Sequence, residues 1–167
     1  MNIAFLKPPN GGILGLEMLT FVEPLGLICV AGCLEADGHV CKVIDLRLEG
    51  EEEGLEICRS FAPSVVGLQC NFTTERHRTI RLAEKVRRLL PEAFVIVGGH
   101  DASREPSWFR HPAIDAIAVG DGEEVMPHLV EALETGGDLR KVLGLVLQKN
   151  GALHHTGEAP MRRDLDT

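Results

Sequence analysis

Five short, mostly apolar runs alternate along the chain with segments of helical character. The runs are rich in Val and Ile, and they lie at residues 2–6, 40–46, 64–70, 94–97 and 114–119. Runs without regular polar alternation are typical of strands that are covered on both faces of a sheet. The repeated strand–helix order predicts an α/β fold, with a doubly wound, parallel, five-stranded sheet and helices on both faces.

The helical segments differ in the distribution of their apolar residues. Residues 24–36 are apolar on nearly every side, which predicts a buried helix that starts at Pro24 and ends before Gly38. Residues 74–90 have a single apolar stripe opposite a basic face, and Arg76 should point outward with that face.

The C-terminal part of the chain predicts one more helix and a hairpin. The helix should begin near Glu123 or Glu124, with Pro127 in its first turn, because a proline deeper in a helix costs a hydrogen bond. Residues 143–155 contain two short runs around Asn150-Gly151, a pair that favours a tight β-turn.

Composition excludes several classes of function. The chain has 167 residues and a net charge of −8, which disfavours non-specific binding to nucleic acid and to anionic membranes. With six Phe, one Trp and no Tyr, it has little aromatic surface for base stacking. Its longest apolar stretch, residues 25–34, is too short for a transmembrane segment, and no signal peptide is visible. Five cysteines without regular spacing do not indicate a disulfide framework, so we expect a cytoplasmic protein.

Two of the apolar runs end abruptly in glycine. Residues 94–97 are followed by Gly98-Gly99-His100, and residues 114–119 are followed by Gly120-Asp121-Gly122. Glycine lets another group approach the backbone closely, or it allows a positive φ angle. Since ligands of open parallel sheets bind at the carboxyl ends of the strands, we expect the functional site at these two segments.

No short catalytic motif accompanies these glycines. The dinucleotide fingerprint, the P-loop and the nucleophile elbow of hydrolases are all missing from the sequence. Cys29 and Cys33 suggest a metal site, but the apolar helix around them favours a packing role. A nucleotide-binding domain that uses the Gly120 loop stays open as a weaker interpretation.

Four segments together resemble the cobalamin-binding domain that precedes the catalytic barrel in B12-dependent radical SAM enzymes. They are Lys7-Pro8-Pro9, Pro24-Leu25-Gly26-Leu27, Val97-Gly98-Gly99-His100 and Val119-Gly120-Asp121-Gly122-Glu123-Glu124. The resemblance implies a flavodoxin-like or Rossmann-like sheet of strand order 2-1-3-4-5 with a C-terminal β-hairpin. It also implies a cobalamin-binding domain over residues 1–140, followed at residues 141–167 by the hairpin and a linker toward a radical SAM barrel.

The same resemblance places cobalamin at the carboxyl edge of the sheet. Gly98 and Gly99 would leave room for the nucleotide tail of the cofactor, and the Gly120 loop would follow the cofactor's edge. The implied cofactor-binding residues are Lys7, Pro8, Pro9, Gln69, Cys70, Asn71, Phe72, Thr73, Gly98, Gly99, His100, Val119, Gly120, Asp121, Gly122 and Glu123. The corrinoid is thus the expected partner, and no metal ligand or catalytic residue is expected in this chain.

Two departures from the family pattern limit the prediction. Residues 7–12 contain no histidine, so this loop offers cobalt no axial ligand. The chain also lacks Cys-x3-Cys-x2-Cys, the motif that binds the 4Fe-4S cluster, so alone it should not cleave S-adenosylmethionine. The cluster, S-adenosylmethionine and the barrel would belong to an intact enzyme, a methyltransferase or a cyclase, of which this chain would be a fragment.

A second hypothesis comes from a different class of function. The chain would keep this fold without the cofactor, as an interaction module or substrate platform of a radical SAM protein. The slot beside Gly98 and Gly99 distinguishes the two hypotheses, because bulky side chains there would exclude a cofactor.

Overall fold

The computed structural model describes residues 1–9, 23–149 and 151–160, and these residues form a seven-stranded sheet. The strands are β1 (Asn2–Lys7), β2 (Val40–Asp45), β3 (Val65–Gln69), β4 (Phe94–Gly98), β5 (Ala116–Ala118), β6 (Leu145–Lys149) and β7 (Ala152–His155). Their order is β2-β1-β3-β4-β5-β6-β7. The first five strands are parallel, while β6 and β7 are antiparallel to their neighbours. The predicted order 2-1-3-4-5 is confirmed, but the predicted count of five strands is wrong, because the predicted hairpin continues the same sheet beyond β5.

Within the described residues, five α-helices cover the two faces of the sheet. They are α1 (Leu25–Ala36), α2 (Glu51–Phe61), α3 (Arg76–Leu89), α4 (His100–Arg104) and α5 (Gly122–Thr135). Apolar residues of α1 and α5 pack on one face, and those of α2, α3 and α4 pack on the other. The doubly wound architecture predicted from the strand–helix alternation is therefore confirmed.

The central strands show why their sequences are apolar throughout. In β1, Ile3 and Phe5 point toward α1 and α5, whereas Ala4 and Leu6 point toward α2 and α3. Successive side chains of a strand face opposite sides, so a strand with helices on both faces needs apolar residues at every position.

Helix α1 differs from the prediction that it is buried on all sides. Its residues Leu27 and Leu34 are buried, but Leu25 is 59% exposed and Ile28 is 44% exposed. The sheet and α5 cover only part of the helix surface. The helix therefore presents an apolar face outward that sequence periodicity alone could not separate from its buried face.

Helix α5 also differs from the prediction, because Pro127 is its sixth residue and does not lie in the first turn. The φ angle of +99° at Gly120 turns the chain out of β5, so the helix starts at Gly122, before Glu123. A Cβ at Gly122 would lie 2.7 Å from Cγ2 of Val30, so the missing side chain allows close contact with α1. Pro127 leaves the carbonyl of Glu123 without its helical donor.

Some predictions fall on residues that the structure does not describe. These are the loop from residue 10 onward, position 150 of the predicted turn, and the tail at 161–167. Strand β5 is shorter than the predicted run at 114–119. Across the described ranges, no helix has both the length and the apolar character needed to span a membrane.

Candidate functional site

A cavity of about 430 Å³ opens at the carboxyl edge of the parallel strands, between the sheet and helices α1 and α5. Its apolar wall includes Phe5, Leu27, Val30, Ile96 and Met126. Polar side chains and backbone from the strand ends complete the lining. The cavity therefore suits a ligand with a flat apolar part and a polar periphery.

Gly98 and Gly99 have different structural roles at this cavity. A Cβ at Gly98 would have only Cβ of Ala118 nearby, at 3.5 Å, so a larger side chain there would enter the cavity. Gly99 has a φ angle of +111°, and its Cβ would lie 2.6 Å from the carbonyl oxygen of Cys70 and from Oδ1 of Asn71. The cavity thus depends on glycine at 98, whereas the backbone conformation depends on glycine at 99.

Sequence reasoning missed several residues of the lining that lie deeper along the strands. The ring of Phe5 covers Gly67, where a Cβ would be 2.6 Å from Cδ1 of the ring. Ile96 precedes Gly98 by two residues, and Gly67 precedes Gln69 by two, so each pair shares a face of the sheet. The alternation of side chains along a strand, with a period of two residues, was the sequence signal that could have identified these lining residues.

A buried ion pair fixes the loop after β3. Nζ of Lys7 donates to Oε1 of Glu75 at 2.7 Å, and the two side chains are only 10% and 5% exposed. Oε2 of Glu75 accepts hydrogen bonds from the backbone N–H of Asn71, at 2.7 Å, and of Phe72, at 3.2 Å. Oδ1 of Asn71 in turn accepts from the N–H of His100 at 3.2 Å. The carboxylate of Glu75 therefore joins the ends of β1 and β3 directly, and through Asn71 it is connected to the end of β4.

A second ion pair shows that the outward orientation predicted for Arg76 is wrong. Nε and Nη2 of Arg76 donate to Asp101 at 2.5 and 3.0 Å, and Oγ1 of Thr73 donates to the same carboxylate at 2.9 Å. The hydrogen bonds from Arg76 lower the pKa of Asp101 below its usual range. Helix α4 brings this carboxylate into a buried position, where it requires a charged partner.

Ser103 connects the two glycine segments. Its Oγ accepts from the N–H of Gly120 at 3.3 Å and donates to the carbonyl oxygen of Ala118 at 3.5 Å. Helix α4, which follows the first glycine segment, thus holds the backbone of the second in its turned conformation.

The cavity brings together a large part of the predicted site. The predicted residues that line it are Gln69, Asn71, Gly98, Gly99, His100, Gly120, Asp121, Gly122 and Glu123. The predicted residues outside its lining are Lys7, Pro8, Pro9, Cys70, Phe72, Thr73 and Val119. Contacts of all these residues with a cofactor stay predictions.

The thiols near the site favour packing over reactivity. Burial raises the pKa of Cys70 to about 12, so the thiol stays protonated at neutral pH. In the described ranges, no group of three or more His, Cys, Asp or Glu side chains is placed to hold a metal ion.

Comparison with known proteins gives a family and several relatives. The B12 binding domain family matches residues 11–130. Hopanoid C-3 methylase of Methylococcus capsulatus is 33% identical over 142 residues, covering 83% of this chain and 26% of that protein. Anaerobic magnesium-protoporphyrin IX monomethyl ester cyclase of Synechocystis is 30% identical over 176 residues, covering 99% of this chain and 34% of that protein. The chain thus spans about a quarter to a third of these relatives.

Two solved structures share the fold. The radical S-adenosylmethionine methyltransferase TsrM of Kitasatospora setae, with cobalamin and a 4Fe-4S cluster bound, has a TM-score of 0.82 at 19% identity. The match covers 99% of this chain and 30% of the TsrM chain. The cobalamin-dependent radical enzyme OxsB, with aqua-cobalamin and S-adenosylmethionine bound, has a TM-score of 0.80 at 16% identity, covering 96% of this chain and 22% of that one.

We expect alanine at positions 98 and 99 to have different effects on stability. Gly99→Ala should lower the free energy of unfolding by about 1–3 kcal/mol, because its φ angle and the Cys70 carbonyl both oppose a side chain. Gly98→Ala, the matched neighbour, should cost less than about 1 kcal/mol. Urea unfolding followed by circular dichroism measures both values. Equal losses would contradict the two roles assigned to these glycines.

Because Asp101 forms an ion pair with Arg76, we expect Asp101→Asn to lose stability by an amount that depends on pH. Since the pKa of Asp101 is lowered in the folded protein, the pair stabilises the fold above the pKa of the unfolded chain, about 4, and this contribution disappears as the pH falls below it. The urea midpoint of the variant should therefore lie furthest below that of the parent protein at pH 7, and the gap should narrow below pH 4. A gap of constant size would disprove this. Asp37→Asn, at an exposed position after α1, is the control.

Proposed function

Because this chain belongs to the B12-binding domain family, we propose that it binds cobalamin at the carboxyl edge of its sheet. The observation that carries the proposal is the open, glycine-lined cavity beside Gly98 and Gly99. The nucleotide tail of the cofactor would lie in this cavity, and its corrin ring would lie across the strand ends. The bound cofactor supplies organometallic cobalt chemistry, while the chain binds it, orients it and shields it from water.

The residues present fit such a cofactor. Glycine at 26 and 98 keeps side chains out of the space between the sheet and the helices. Phe5 and Ile96 give this space an apolar wall against which a planar base can pack. The cavity volume of about 430 Å³ is within the range of small-molecule sites.

The chain would hold the cofactor by shape and backbone contacts. Asn71, His100 and the loop at Gly120 stand at the strand ends, where the polar periphery of the ring would lie. Residues 7–12 contain no histidine, so that loop would not ligate the cobalt. Pro8, Pro9 and Phe72 would face the ring itself, because they follow strands that end beside the cavity.

In the intact protein, we place this domain beside a radical SAM barrel in cis. The support is that similar proteins include a methylase and a cyclase much longer than this chain. The 4Fe-4S cluster and S-adenosylmethionine would be bound by the barrel, and the enzyme would be a methyltransferase or a cyclase. A cytoplasmic location is consistent with the unbridged thiols of Cys58 and Cys70.

The cofactor-free alternative has less support. It requires bulky side chains in the slot beside Gly98, and the space there is open. The comparisons also give this alternative no support. A nucleotide bound through the Gly120 loop alone would leave the apolar wall at Phe5 and Ile96 without a role.

We expect the full chain to retain hydroxocobalamin. The protein is mixed with the cofactor and passed over a desalting column, and the visible spectrum of the protein fraction is recorded. The parent protein should be coloured, and Gly98→Trp should be colourless because the indole would enter the cavity. A colourless parent protein would refute the proposal.

Gly32→Trp is the matched control for this experiment. Gly32 lies on the exposed side of α1, and a Cβ there would have no atom within 4 Å. This variant should retain the colour of the parent protein. Circular dichroism should show that both variants are folded. Full colour in a folded Gly98→Trp variant would place the nucleotide tail outside the cavity.

A further inference from the structure

We propose that the cavity selects corrinoids whose nucleotide carries a purine base, and that Gln69 recognises this base. The proposal deepens the proposed function and rests on it. It concerns the part of the corrinoid that would enter the cavity, the nucleotide base, and the chemical character of that base.

Gln69 is a buried residue whose side-chain amide faces the cavity. The residue ends β3, is only 6% exposed and lines the cavity. Its Nε2 would lie 3.8 Å from a Cβ placed at Gly26, so the amide reaches the first turn of α1. The backbone oxygen of Gln69 accepts from Oγ1 of Thr79 at 3.5 Å. The side-chain amide has no hydrogen-bond partner among the residues that the structure describes.

The other polar side chains that line the cavity have hydrogen-bond partners or are open to solvent. Asn71 and Ser103 already form hydrogen bonds with the backbone of His100 and Gly120. His100 and Asp121 are exposed and Glu123 is half-buried, so water can reach all three. Gln69 differs from them because the residue is buried and its side-chain amide makes no hydrogen bond with a described residue. Water in the cavity can reach both amide atoms, so a ligand that displaces this water keeps its affinity only if it hydrogen bonds to both atoms.

The surroundings of this amide favour a planar aromatic group. Gly67, two residues before Gln69, lets the ring of Phe5 lie directly on the strand, so this ring forms part of the cavity wall. Leu27 and Ile96 continue the apolar wall. A base that packs in this space would present its edge to Gln69 while its faces contact apolar atoms.

The two functional atoms of an amide match a purine edge. An amide has an N–H donor beside a carbonyl acceptor, and adenine presents an amino donor beside a ring-nitrogen acceptor. Dimethylbenzimidazole, the base of cobalamin, can accept one hydrogen bond but has no N–H to donate. Bound to that base, Oε1 of Gln69 would stay unpaired, which should weaken binding about tenfold.

The affinities of three corrinoids for the full chain test this proposal. They are cobalamin, the analogue in which adenine replaces dimethylbenzimidazole, and cobinamide, which has no nucleotide. Titrations followed by absorbance give each Kd. The parent protein should bind the adenine form about tenfold more tightly than cobalamin. Gln69→Met, which keeps the length of the side chain without its amide, should bring this ratio close to one while cobalamin still binds.

Two further variants make the test independent of folding defects. Gln148→Met removes an amide outside the cavity, which donates to the carbonyl oxygen of Phe109 at 2.6 Å and accepts from the N–H of His111 at 3.0 Å. Gln148→Met should reduce stability and leave the ratio of the Kd values for the two corrinoid bases unchanged. Gln69→Glu retains acceptors without a donor, so it should also reduce the ratio even if Gln69→Met does not fold.

The possible results separate this inference from the proposed function. A parent protein that binds both bases equally, or a ratio that is unchanged in both variants of Gln69, overturns the role of Gln69. Cobinamide binding as tight as that of the complete corrinoids also overturns it, because no base would then contribute to binding. Failure to bind any of the three corrinoids refutes the proposed function itself.

Discussion

The geometry of the carboxyl edge depends on the buried charge of Glu75. This carboxylate is almost inaccessible to water, so it must be neutralised and fully hydrogen bonded within the protein. Lys7 supplies the opposite charge, and the N–H groups of Asn71 and Phe72 supply the remaining hydrogen bonds. Satisfying one anion therefore fixes where β1 ends and how the chain leaves β3. The cavity wall follows from these two constraints.

The glycines complete this arrangement because they have no side chain. Gly98 leaves volume for a ligand, Gly99 permits a backbone conformation that other residues resist, and Gly122 lets α5 approach α1. A site built in this way would recognise a ligand chiefly by its shape and by contacts with the backbone. Such recognition suits a large cofactor that carries its own reactive metal.

The sequence predicted the order of the parallel strands and both glycine segments, because burial on two faces and the need for space leave local patterns. It did not predict the ion pairs, since Lys7 and Glu75 are separated by 68 positions and each is unremarkable in its own segment. The contact predicted between Lys7 and the cofactor stays a prediction, and the ammonium group of Lys7 lies against Glu75. Pro127 was also misplaced. Helix α5 starts at Gly122, directly after the turn that the positive φ angle of Gly120 makes, so Pro127 comes one turn later than the sequence suggested.

The continuation of the sheet into β6 and β7 has a consequence for self-association. Strand β5 has only three residues and lies beside the cavity, and as an outer strand it would expose unpaired backbone groups there. Such exposed edges invite pairing with other chains. Because β6 pairs along β5, the open edge is moved to β7, away from the glycine segments. The protein can thus keep a wide opening in its structure without offering a template for strand exchange at that place.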